Sequence, residues 1–270
     1  MNQPLLHEQI ATRGFVVLRN FLSAKEVREY RKNLLKRAGV TGKTVDPKST
    51  WLLADGPNKY PEWWPLITHD RLLKTMRDIV GPDVRYLRTS DLHLNNVRRI
   101  WHRDSPCRNF GIGSDFNESE IPYQVYRVGI YLQSYSESGS ALGLIPGTHH
   151  SEPKLMQFEF KFWDRIRWLC RQDYLLAPVV RVRPVWIKTE PGDAIIFDAR
   201  VLHAPSRIHG PKLAVFLSYG ADNQHSRNFQ KHYVQDRTAL KYGPLHPDLQ
   251  KALAKRGLLL NDGHAAETAA

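Results

Sequence analysis

From Val84 to Tyr219 the apolar residues of this 270-residue chain come in short runs, each stopped by turn-forming residues. Val84–Thr89 and Asp91–Asn95 are the first two. Gln124–Gln133 is clearer: Val125, Val128, Ile130 and Leu132 fall mostly on one side, and Arg127, Tyr131 and Gln133 on the other, around Gly129. Ala141–Ile145 ends at Pro146-Gly147. Val179–Lys188 alternates Val with Arg before Val185 and Ile187, and Ala194–Phe197 and Lys212–Tyr219 complete the series. Side chains alternate across a strand with period two, so runs of this length and pattern predict strands. Many short strands separated by turns must bury one sheet face and dispose of their edges, which a sandwich or barrel does.

Helices come mostly before this region. Gly14–Leu18 reads as a strand, and Ser23-Ala-Lys-Glu26 is a capping box in which Ser and Glu side chains satisfy each other's backbone N–H groups. Val27, Tyr30, Leu34, Leu35 and Ala38 then recur at helical spacing up to Gly39. Thr41–Asn58 is polar, apart from Trp51-Leu-Leu, and reads as a loop. Asp70 is positioned to cap a second helix that stops at Gly81-Pro82. A third, aromatic helix should run from Ser151 and Pro153 to about Arg171, a fourth within Lys251–Leu260, and the last ten residues should fray. The expected organisation is one domain over residues 1–270. Residues 1–83 are a helical support, 84–222 a double-sheeted β core with a helical insert at about 153–172, and 223–270 a C-terminal extension. The fold class is mainly β with flanking helices, of the jelly-roll type that commonly holds a metal in its mouth.

Chemistry concentrates in two stretches, Trp101-His102-Arg103-Asp104 and Asp198–Pro205. If Ile100–Asp104 ends a strand, His102 and Asp104 share a face, with Arg103 pointing away. His203 can add a third ligand from a distant strand. Two imidazoles and one carboxylate on one face of an iron leave three positions open, as in non-haem Fe(II) oxygenases. The triplet alone is weak, because with 12 His and 27 acidic residues about one such His-x-acid pattern arises by chance.

Composition narrows the remaining classes. Cys107 and Cys170 are too few for a disulfide scaffold, and a reducing, cytoplasmic setting is the expectation. No apolar run approaches the length of a membrane span, and Met1–Phe15 lacks the pattern of a signal peptide. The net charge of +12 favours anionic partners. The basic residues concentrate at Arg98-Arg99, Arg165–Arg171 and Arg181–Arg183, without a zinc finger or RNA-binding signature.

Four blocks, in order, resemble the phytanoyl-CoA dioxygenase-like family of Fe(II)/2-oxoglutarate oxygenases. They are Gly14–Ser23, Trp101–Asp104, Gly143-Leu-Ile-Pro-Gly-Thr-His149, and Pro191-Gly-Asp-Ala-Ile-Ile-Phe-Asp-Ala-Arg-Val-Leu-His203. The resemblance implies a double-stranded β-helix (cupin-like jelly roll) with iron on His102, Asp104 and His203. It also implies 2-oxoglutarate as co-substrate, O₂ as oxidant, and succinate and CO₂ as products. In this family an Arg about eleven residues after the second His receives the distal carboxylate of 2-oxoglutarate. That count lands on Ala214 here. Lys212 is the first candidate to replace it and Arg207 the second, although a Lys lacks the bidentate fork of Arg. Related halogenases carry Gly or Ala where Asp104 stands, so Asp104 implies hydroxylation or another oxidation.

Other candidates are less specific. His93 and Asn95, on the strand before the metal block, are further candidates for the cofactor. Arg127, Tyr131 and Gln133 are candidates for the substrate, and the polar Tyr219–Arg227 exit could reach it too. His149 reads as structural. The expected substrate is a small anionic molecule, with peripheral membrane or nucleic-acid contact left open. Two alternatives stand beside this reading: a cupin-like metal oxygenase or isomerase that does not use 2-oxoglutarate, and a basic nucleic-acid-binding module.

Overall fold

The computed structural model describes residues 6–40, 45–46, 48–96, 100–170 and 182–260. Arg98, Arg99, Arg171, Arg181, the first part of the Val179–Lys188 run and the C-terminal ten residues lie outside the described residues. The chain opens with α1 (Leu6–Arg13), β1 (Phe15–Leu18), α2 (Ala24–Arg37) and β2 (Trp51–Ala54). The single-turn helices α3 (Gly56–Lys59) and α4 (Trp64–Ile67) lead to α5 (Asp70–Val80). Then come β3 (Val84–Tyr86), β4 (Asp91–Leu94), β5 (Val125–Tyr131), the single turn α6 (Tyr135–Ser138), β6 (Ala141–Leu144) and α7 (Lys154–Cys170). The chain ends with β7 (Val185–Lys188), β8 (Ala194–Asp198), β9 (His203–Pro205), β10 (Leu213–Ala221), α8 (Gln224–Lys231) and α9 (Pro247–Lys255).

The strands form two antiparallel sheets. The larger has the order β1-β8-β5-β10-β4-β2, with β3 pairing the far end of β10; the smaller is β7-β6-β9. Strand β10 explains the layering. All nine of its residues are buried. Leu213, Val215, Leu217 and Tyr219 pack with residues of α2 and α5, whereas Ala214 and Phe216 pack between the sheets against Leu142, Leu144 and Ile187. The period of two thus feeds two cores from one strand, each buried Val or Leu contributing about 1.5–3 kcal/mol. This is a mainly β fold with flanking helices, a two-sheeted jelly roll.

Several local expectations hold. Ser23 and Glu26 form both halves of the capping box, and Gly81 stops α5 with a positive φ of 105°. Others need correction. Trp51–Ala54, read as part of a loop, is a strand along β4, because an unpaired sheet edge offers hydrogen bonds to any short apolar segment nearby. The N-terminal support is therefore not purely helical: β1 and β2 both belong to the large sheet. His69, not Asp70, is the N-cap of α5, and the Asp70 carboxylate pairs with Arg256. Helix α1 carried no strong periodic signal, since Ile10 is its one buried residue. The C-terminal helix begins earlier than expected, at Pro247, capped by His246.

Candidate active site

Residues 100–104 are not a strand. His102 makes one isolated bridge to His203, with N–H groups donating in both directions at 3.0 Å, and Asp104 N–H donates to the Ala199 carbonyl at 2.8 Å. The two histidines are brought together by this backbone pairing, their rings 4.2 Å apart. His203 begins β9 of the small sheet. Residues a hundred positions apart therefore meet through two hydrogen bonds, and Asp104 keeps the side of His102.

Each imidazole is oriented from behind. His102 Nδ1 lies 2.9 Å from the Ile100 carbonyl and His203 Nδ1 3.0 Å from the Val201 carbonyl. A carbonyl only accepts, so both Nδ1 atoms carry the proton and both Nε2 atoms offer a lone pair. Those Nε2 atoms lie 3.8 Å (His102) and 3.7 Å (His203) from the Asp104 carboxylate oxygens. Three such donor atoms lie within 4.8 Å of one another. Donors on neighbouring positions of an octahedral ion stand about 3 Å apart, so the donor set fits a ferrous ion after closing by less than about 2 Å.

Arg127 organises the charge. Its Nε lies 3.3 Å from Asp104 Oδ2 and its Nη2 2.9 Å from Asp91 Oδ2, while Nη1 donates to Ser218 Oγ and the Thr89 carbonyl. Burial would raise the Asp104 carboxyl, but His203, Arg127 and His102 together hold it well below the usual carboxylate range. Arg127 is the partner that stays charged at neutral pH, because burial and the neighbouring His102 push His203 down to about 3. A neutral His203 beside an ionised carboxylate is the protonation state a metal requires.

These groups open onto a cavity of about 510 Å³, a size typical of small-molecule sites. Lys212, at the entrance to β10, lines it with its Nζ 3.1 Å from the Asn96 carbonyl, and burial lowers the ammonium to about 8. Lys212 and Arg127 flank the Phe216 ring, at 5.9 and 5.5 Å from its centroid. His93 also faces the cavity; its buried Nδ1 has no hydrogen-bond partner, and burial with nearby Lys212 keeps it neutral.

The remaining candidates separate. Arg127 lines the cavity, but Tyr131 and Gln133 do not. Tyr131 is packed into the core between the sheets, and Gln133 Oε1 accepts the Leu213 N–H. Asn95 also turns away: its amide bonds the Asp46 and Ser49 carbonyls and receives the Lys212 N–H. Gln133 and Asn95 thus fix the backbone at the start of β10. Arg207 is exposed and outside the cavity, because its loop follows β9 over the surface. His149 is structural, bonding the Ala11 carbonyl, and Arg103 points away, bonding Arg200 and Thr148 carbonyls and Glu152. None of Tyr219–Arg227 lines the cavity; the C-terminal extension contributes Tyr233, Arg237 and Leu240. Asp91 and Arg108 were also missed. Asp91 was within reach of the alternation, since it sits two residues before His93, whereas Tyr233, Arg237 and Arg108 carried no signal of their own.

Residues 10–214 match the family model described as phytanoyl-CoA dioxygenase (PhyH). The chain belongs to the phytanoyl-CoA dioxygenase family. No curated protein matches it in sequence. Among solved structures it is similar to the non-haem alpha-ketoglutarate-dependent carbocyclase SnoK of nogalamycin biosynthesis, with 17% identity, 90% of this chain and 91% of that one covered, and a TM-score of 0.58. It is also similar to HygX from Streptomyces hygroscopicus with nickel and 2-oxoglutarate bound (18% identity, 82% and 87% covered, TM-score 0.57). A third is the alpha-ketoglutarate-dependent epimerase SnoN of nogalamycin biosynthesis (16% identity, 80% and 81% covered, TM-score 0.54). The cofactor set of the phytanoyl-CoA dioxygenase family is iron and 2-oxoglutarate, with O₂ as the usual oxidant. Membership thus decides among the three readings of the sequence in favour of an iron- and 2-oxoglutarate-dependent oxygenase. Among the described residues no helix is long and apolar enough to cross a membrane.

Proposed function

We propose that this oxygenase hydroxylates a small anionic substrate at an iron held by His102 Nε2, His203 Nε2 and an Asp104 carboxylate oxygen. One observation carries the reading: both imidazoles are locked by backbone carbonyls with Nε2 turned toward a carboxylate that an arginine keeps ionised. With iron and 2-oxoglutarate bound, the centre supplies O₂ activation coupled to decarboxylation of the co-substrate to succinate and CO₂. Lys212 receives the distal carboxylate in place of the Arg that the family carries where Ala214 stands, with His93 as a neutral neighbour. The ammonium has three protons and gives one to Asn96, so two remain for a carboxylate. Ala214 pairs with His93 on one side and Tyr131 on the other. A carboxylate at position 104 supports hydroxylation over halogenation, because it fills the coordination position that a halide would need.

Anaerobic titration tests these assignments. Fe(II) with 2-oxoglutarate should give a weak visible charge-transfer band in the wild type. Asp104→Ala should lose tight iron binding and the band. Lys212→Ala should keep iron and weaken 2-oxoglutarate by about 2 kcal/mol or more, roughly 30-fold. Full iron affinity in Asp104→Ala, or unchanged 2-oxoglutarate affinity in Lys212→Ala, would remove that residue from its assigned role.

A further inference from the structure

Two guanidinium groups at the cavity make no salt bridge among the described residues, Arg108 acting on the Asp104 carboxylate only from longer range. Arg108 and Arg237 both line it beside Tyr233. The Arg237 guanidinium lies 5.0 Å from the Tyr233 ring centroid, and the Tyr233 phenol donates to the Asp104 carbonyl at 2.7 Å. Arg108 donates to the Arg103 carbonyl, one residue before Asp104. Both are exposed at the Asp104 end of the site. Lys212 and Arg127 flank the Phe216 ring, away from this pair.

The charge balance of the cavity gives these arginines meaning. Its carboxylates, Asp91 and Asp104, both face Arg127. On the proposed function, a ferrous ion, Arg127 and Lys212 together offset a doubly charged 2-oxoglutarate and the two aspartates. Arg108 and Arg237 are left over. The cavity lining also includes the apolar Ile100, Leu142, Pro205 and Leu240, and Leu142 pairs with Pro205 two residues along β9 from His203. A cleft with low-dielectric walls focuses uncompensated charge on whatever enters it.

We propose that Arg108 and Arg237 form the substrate-recognition subsite for a doubly charged oxyanion, a phosphate monoester or a pair of carboxylates, carried on an apolar body that lies along Leu142 and Pro205 toward the iron. Guanidinium forks match the geometry of such oxyanions. This inference rests on the proposed function, since the apolar body is the part presented for oxidation.

Calorimetric titration of the anaerobic Fe(II)/2-oxoglutarate-loaded protein tests it with probes of equal chain length: octyl phosphate, octylmalonate and octanol, with inorganic pyrophosphate as a chain-free dianion. At least one octyl dianion should bind tenfold or more tighter than octanol, and the tighter of the two identifies the group. Arg108→Gln and Arg237→Gln should each weaken that dianion about tenfold, leave octanol and 2-oxoglutarate affinity unchanged, and flatten the dependence on salt. Octanol binding as tightly as both dianions, unchanged dianion affinity in the double variant, or no binding of any dianion including pyrophosphate overturns the inference. A protein that fails to load Fe(II) and 2-oxoglutarate refutes the proposed function instead, and the loading titration reads that separately.

Discussion

Arg127 is buried between two part-buried carboxylates, and neither keeps its charge at low cost without it. Burial raises the Asp91 carboxyl while Arg127 opposes the rise. Removing one partner of a buried ion pair costs about 3–5 kcal/mol. Arg127→Leu should therefore lose about that much unfolding free energy in urea at neutral pH. Adding Asp91→Asn should recover part of it, and Fe(II) should recover more, since the ion answers the Asp104 charge. A loss below about 1 kcal/mol would mean that the guanidinium is dispensable. Lys212 gives a pH signature. Its ammonium, lowered to about 8 by burial, is charged below that value and neutral above it in the free protein. Pairing with 2-oxoglutarate needs the charge. Affinity should be level from pH 6.5 to 7.5 and fall toward tenfold per unit above about 8, read from the charge-transfer band. A flat profile to pH 9.5 would assign the distal carboxylate elsewhere. Position 212 was legible in the sequence as a substitute cation near Ala214. Arg207 looked equivalent in one dimension and failed because its loop follows the surface after β9.

At the scale of elements, the junction of α1 with β1 shows how a single residue sets an approach. Gly14 has a φ of +82°, and a Cβ there would lie 2.3 Å from Val201 Cγ2 and 2.7 Å from His149 Nδ1. Val201 stands two residues before His203, and His149 bonds back to α1 through the Ala11 carbonyl. Gly14→Ala should destabilise the protein by about 1–3 kcal/mol through backbone strain and this collision. A thermal melt measures it, with a midpoint shift of several degrees expected; an unchanged midpoint would show that the junction yields freely. The strands were readable because burial repeats every second residue, and α2 because its cap and its apolar stripe agree. Strand β2 was not readable. Trp51–Ala54 is a strand only because the edge of β4 is open beside it.

Across the whole molecule, β5, β8 and β10 form the centre of the large sheet, with every residue of each buried. Helices cover one face of that sheet and the small sheet the other. Amide hydrogens in these strands can exchange only when both layers open together. They should show the slowest exchange in the protein, near the rate set by global unfolding, while β2 and α9 exchange faster. Hydrogen-exchange mass spectrometry resolves the difference, and equal protection of β2 and β10 would contradict the layered account. The site draws on this rigidity. Arg127 stands on β5 and Lys212 at the entrance to β10, while Asp104 hangs from Ala199 just past β8.

The sequence by itself determined the strand-rich class and helices α2 and α5 and singled out His102, Asp104 and His203 as candidate donors, because periodicity, capping and ligand chemistry are properties of neighbours in the chain. Tertiary structure decided which charges meet. That Arg127 joins Asp91 to Asp104, that Asn95 and Gln133 serve the backbone of β10 and not the cavity, and that Arg237 and Tyr233 reach the site from the C-terminal extension all depend on pairings between distant segments. Such contacts follow from register and layer packing, which no local pattern encodes.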